Sequence, residues 1–150
     1  MNKTELAASR FQAGFSCSQA VFSSFAEAMG LEKNTALKIA GTFGGGMGRT
    51  GQTCGAVTGA LMVLGLKYGA TDAADKETKE LAYARVQEFA RRFATRNGDD
   101  LSCKALLGCD ISTPDGQKMA QELGLYKSVC PKLVKDAAEI VEEILADQGE

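Results

Sequence analysis

The sequence predicts an all-α, single-domain helical bundle of about five to eight helices spanning residues 1–150, and three observations predict it. Apolar residues recur three and four positions apart, as in Leu6, Phe11 and Phe15 and then Ala20, Val21, Phe25, Ala28 and Met29; no stretch alternates as a strand would. Helix-starting and helix-ending residues punctuate that pattern at regular intervals. A chain of 150 residues with 45% hydrophobic content can bury one substantial core and is too short for two independent ones.

Taken in order, the first helix is predicted over 3–13 from the Leu6 and Phe11 spacing, and the second over 16–29, opened by Ser16 and closed by Gly30. A third runs over 33–41, where Leu37-Lys38-Ile39-Ala40-Gly41 reads as a helix end. The fourth, 52–68, carries the longest apolar segment, and Gly55, Gly59 and Gly65 within it point to a closely approaching helix or ligand, since each costs ~1 kcal/mol against alanine. Gly69 and Thr71-Asp72 separate it from the fifth, 72–96, which Gly98 closes. Ala82, Val86, Phe89, Ala90 and Phe93 form the apolar stripe of that fifth helix. Its other face carries Arg85, Arg92 and Arg96, read first as a solvated face with favourable charge near a helix C-terminus, with anion binding as the alternative. Shorter helices follow over 102–107 and 115–123, and a last one over 131–146. Pro114 and Pro131 suit first turns, where a missing N–H costs nothing.

A net charge of −2 gives no field that would draw nucleic acid or an anionic membrane. The apolar stretch from Ala56 to Leu66 falls well short of the ~20 residues a membrane span needs, and Met1 to Leu6 lack the apolar core of a signal peptide. A cytoplasmic protein is expected.

Five cysteines, an odd number with no Cys-x-x-Cys pair, fit a secreted disulfide framework poorly. Histidine is absent, which removes Cys-His and Ser-His catalysis and every mixed Cys/His zinc site. Four of the thiols fall where a cap ends and a helix begins: Cys17 after Ser16, Cys54 after the run Gly44 to Thr53, Cys103 after Ser102, and Cys130 before Pro131. Unpaired N–H groups at a helix start favour a thiolate, so convergence of these ends would lower several thiol pKa values together. Cys109, after Gly108, is the exception.

Two chemistries compete for such a site. In one, Cys54 attacks a disulfide, peroxide or other small-molecule electrophile, and Cys17, Cys103 or Cys130 resolves the mixed species. In the other, the four thiolates Cys17, Cys54, Cys103 and Cys130 hold zinc or an iron–sulfur cluster. Their intervals of 37, 49 and 27 residues disfavour a ready-made metal knuckle. A third reading is a non-catalytic module, such as a homodimer formed through the glycine-rich helix face, with the cysteines merely packed. Gly46 to Thr53 also has the frame of a P-loop, but Gln52 stands where the phosphate-gripping lysine should be. The plainer role of these glycines is a tight fold against the cysteines.

Cys54-Gly55-Ala56-Val57-Thr58-Gly59 resembles the signature of the C_GCAxxG_C_C family, small bacterial and archaeal proteins whose redox label is inferred from their cysteines. The family's four characteristic cysteines fall in order on Cys17, Cys54, Cys103 and Cys130, and Phe43 to Gly48 and Val129-Cys130-Pro131 extend the likeness over almost the whole chain. The resemblance implies a redox-active protein with these four positions as its site. Cys109 lies outside the pattern, as an accessory thiol or a local partner of Cys103.

Overall fold

The computed structural model describes residues 1–147 and is all-α, as expected. Local caps set most boundaries. Asn2 and Glu5 form a reciprocal capping box that starts α1 (Lys3–Gln12), and Ser16 and Gln19 form another that starts α2 (Cys17–Ala26), which ends in a 3₁₀ turn, Glu27–Met29. After α3 (Lys33–Ile39) comes a four-residue turn, α4 (Gly44–Met47), and then α5 (Gly55–Tyr68) and the long α6 (Lys76–Arg96), capped by Asp75. Ser102 starts α7 (Cys103–Leu107), and Thr113 followed by Pro114 starts α8 (Pro114–Glu122). The short α9 (Leu125–Ser128) leads into α10 (Cys130–Asp147). Among the described residues no helix is long and apolar enough to cross a membrane.

α2 and α5 form the centre, with α1, α3, α6 and α10 packed around them. Phe22, Phe25, Val57, Leu64, Phe89, Phe93, Ile140 and Ile144 fill the main core, and Phe89 stacks on Phe93 at 5.8 Å. A smaller apolar cluster of Cys103, Leu107, Ile111, Ala120 and Cys130 lies under α7 and α8. Two arginines of α6 face carboxylates of α10. Arg92 pairs with Asp147 at 2.9 Å and Arg96 with Glu143 at 2.8 Å and Asp136 at 3.2 Å, which ties α6 to α10, while Arg85 lies 5.4 Å from the Tyr68 ring centroid.

The glycines of α5 divide by environment. A Cβ on Gly59 would lie 2.8 Å from Ser18 O and 3.2 Å from Ser18 Cα, and one on Gly55 would lie 3.1 Å from Phe43 O, so both mark the close approach of α5 to neighbouring backbone. Gly65 has nothing within 4 Å, so the close contact expected there is missing. Opposite signs follow. Gly59→Ala forces α2 from α5 and destabilises by about 2 kcal/mol, whereas Gly65→Ala stabilises by about 0.5–1 kcal/mol through helix propensity. Denaturant titration of the two variants checks both.

Two departures from the predicted boundaries bear on the site. The expected helix over 52–68 starts only at Gly55, because the residues before it pair with another segment: Cys54 N–H donates to Leu101 O at 2.8 Å and Lys104 N–H to Gly51 O at 3.1 Å, around an isolated antiparallel bridge between Thr53 and Ser102. The glycine run winds left-handed. Gly45, Gly46, Met47, Gly48 and Arg49 have φ of 69°, 70°, 71°, 68° and 67°, and Met47 and Gly48 donate back to Phe43 O and Gly44 O at 3.1 and 2.9 Å. Glycine enters this region freely, while each L side chain there costs ~1–2 kcal/mol. A P-loop requires a strand before its glycines, and here α3 and a turn stand in that place.

Candidate functional site

Each characteristic cysteine sits at a helix start for a local reason. The Ser16 capping box makes Cys17 the first residue of α2, and Ser102, accepting from Ala105 N–H at 3.2 Å, does the same for Cys103 in α7. Cys54 is the N-cap of α5, and Cys130 opens α10 directly after α9. The pairing of residues 51–54 with 101–104 then sets Cys54 and Cys103 side by side.

All four thiols line one cavity of about 1090 Å³. Its walls are the starts of α2, α5 and α10, the left-handed turn, and side chains of α7, α8 and α9. The sulfurs belong to the wall and not to the outer surface: Cys54, Cys103 and Cys130 are 3%, 7% and 6% exposed. Close packing of the turn is what admits this. A Cβ on Gly46 would lie 2.6 Å from Cys103 Cβ and 2.6 Å from Gln52 N. All five cysteines are free thiols, and Cys109 packs beside Cys103 in the smaller apolar cluster without lining the cavity.

Helix-start polarity accounts for part of the electrostatics. The amides of Ala56 and Val57 draw the Cys54 thiol down, but burial outweighs them and pushes it up to about 11. Burial, then the neighbouring Cys54 and Cys130, pushes Cys103 up to about 12. Cys17 and Cys130 behave as a pair. Interaction with Cys130, followed by burial, holds Cys17 well above the usual thiol range. The same contact draws Cys130 below that range, against burial. The thiolate therefore favours Cys130, and the expectation of a lowered Cys54 fails because desolvation exceeds what two amide dipoles return.

A pH dependence follows. Cys54 and Cys103 keep their protons in the folded state at pH values where the unfolded thiols, at about 8.5, have lost them. Stability is thus at its full value below that point and falls as pH rises through about 11 and about 12. Denaturant unfolding between pH 8 and 11 checks this, with a shallower decline expected in Cys54→Ala.

The zinc reading requires three or four of these sulfurs to face a single point. Among the described residues, no three His, Cys, Asp or Glu side chains are arranged to hold one metal ion. The donor set lines a common space without forming a coordination cage for a single ion, so the geometry does not fit a mononuclear zinc centre.

The rest of the cavity lining, absent from the sequence expectations, includes Gln117 and Gln121 of α8, Tyr126 and Lys127 of α9, and Arg49. Burial and the nearby Cys130 raise the Tyr126 phenol, and Arg49 opposes them, so tyrosine, arginine and sulfur share one neighbourhood. No motif announces these residues; only the fold brings them to the site.

No curated protein and no solved structure matches the chain. One protein family does, over residues 15–144, under the description "Putative redox-active protein (C_GCAxxG_C_C)". That span contains all four helix-start cysteines, the CGAxxG segment and the left-handed turn, so the chain belongs to the C_GCAxxG_C_C family.

Proposed function

We propose that this protein is a thiol–disulfide redox protein in which Cys130 is the attacking thiolate and Cys17 the resolving thiol, with Cys54 and Cys103 as a second pair in the same cavity. The observation that carries the reading is the meeting of four helix-start thiols in one cavity. Cys130 Sγ attacks one sulfur of an external disulfide and the first thiol leaves. Cys17, giving up its proton, then attacks Cys130 Sγ, the second thiol leaves, and a Cys17–Cys130 disulfide remains. One disulfide is reduced and two protein thiols are oxidised. The chemistry suits a reducing compartment such as the cytoplasm, where the dithiol form is regenerated.

Compared with the sequence-level expectation, the nucleophile moves from Cys54 to Cys130, because a helix start helps a thiolate only where burial does not cancel it. The test is thiol counting on anaerobically purified protein before and after a small disulfide is added, with metal content measured on the same sample. Thiols lost in pairs and recovered by reductant support the reading. Four protected thiols with stoichiometric zinc or iron overturn it.

A further inference from the structure

The cavity is larger than an exchange between two cysteines requires, and its lining is biased in charge. Arg49 and Lys127 line it, and no aspartate or glutamate does, in a chain whose net charge is −2. Neither cation forms an ion pair with a described carboxylate. Asp110, which bears on Cys103, is engaged elsewhere, accepting from Ser112 N–H at 3.0 Å and lying 3.7 Å from Lys104 Nζ. Arg49 and Lys127 are exposed at the cavity edge, and the Arg49 stem lies against Gly45, where a Cβ would sit 2.9 Å from its Cγ. Arg49 keeps that place at φ 67°, a conformation an arginine adopts only at a cost.

Thiols that are 3–7% exposed are also poorly placed for a disulfide fixed on the surface of a folded protein. A volume of about 1090 Å³ readily holds a small molecule.

We infer that the cavity binds a low-molecular-weight disulfide or thiol carrying carboxylate groups, its sulfur among the four cysteines and its carboxylate on Arg49 and Lys127. The inference deepens the exchange reading and rests on it for the chemistry: the bound disulfide is the oxidant, both its sulfurs leave as thiols, and Cys130 and Cys17 become the disulfide.

The experiment compares three small disulfides of similar size: 3,3′-dithiodipropionate (anionic), bis(2-hydroxyethyl) disulfide (neutral) and cystamine (cationic). Calorimetry with suberate, the dicarboxylate that replaces the disulfide by two methylenes, runs beside it and requires no redox chemistry. The expected result is exchange with the anionic probe roughly tenfold faster than with the cationic one, a ratio that shrinks with added salt and falls toward one in the Arg49→Gln/Lys127→Gln double variant. Saturable suberate binding that the double variant loses is expected too. Lys118→Gln, on an exposed lysine near Glu122 of α8, serves as the control and changes neither. Equal rates for the three probes with no suberate binding overturn the charge-selective site while leaving the exchange reading standing. Suberate binding with no thiol oxidation by any probe supports the anion site and overturns the exchange reading instead.

Discussion

Cys130→Ser removes disulfide exchange, with a loss of at least roughly a hundredfold, because a serine hydroxyl at neutral pH is a weak nucleophile without an activating base and the chain contains no histidine to supply one. Cys17→Ser gives a different phenotype. Cys130 still attacks, but no thiol resolves the product, and one equivalent of mixed disulfide accumulates on Cys130. Cys54→Ser reduces the rate less than Cys130→Ser, because the Cys54 thiol, pushed up to about 11, is almost wholly protonated at neutral pH. Cys109→Ser leaves exchange intact, as its thiol does not line the cavity. Stopped-flow exchange and intact-mass analysis of the four variants check the order. A Cys54→Ser loss exceeding that of Cys130→Ser would place the nucleophile on α5.

The second large effect is structural. Gly46→Ala puts a methyl group 2.6 Å from Cys103 Cβ and 2.7 Å from Gln52 O, at φ 70°, where an L side chain is strained in any case. The neighbours are backbone and a buried helix start, which cannot swing away. A cost of about 3 kcal/mol or more follows, lowering the melting temperature by about 10 °C. Any folded fraction has its turn displaced from the cysteines. Gly98→Ala, with φ of similar sign but open space around it, costs less. Calorimetric melting of the two variants separates strain from collision, and equal melting temperatures would mean that the close approach at Gly46 is unimportant.

The parts of this molecule that caps determine were legible in the chain. Ser16 with Gln19, Ser102 and Thr113-Pro114 act within four residues, so the helix starts carrying Cys17 and Cys103 could be read directly. What depends on distant partners could not. Arg92 and Arg96 announce a charged face, but their partners on α10 lie 40 to 55 positions further along. The pairing of Gly51 and Cys54 with Lys104 and Leu101 has no local pattern, yet it trims the start of α5 and aligns two of the thiols. Helix-start polarity is local and was foreseen. Desolvation belongs to the folded environment, and it reversed the expected acidity at Cys54 and Cys103. For the glycine run, tight folding against the cysteines was foreseen and its left-handed winding was not, because a string of glycines permits that conformation without requiring it.

The central claim is that Cys17 and Cys130 form the working pair. It is tested most directly by adding one equivalent of a small disulfide to the fully reduced, anaerobically prepared protein and mapping the product by peptide mass spectrometry. The expected product is a single intramolecular Cys17–Cys130 disulfide, with Cys54, Cys103 and Cys109 still reduced. A first disulfide involving Cys54, or five thiols left unchanged, would contradict it.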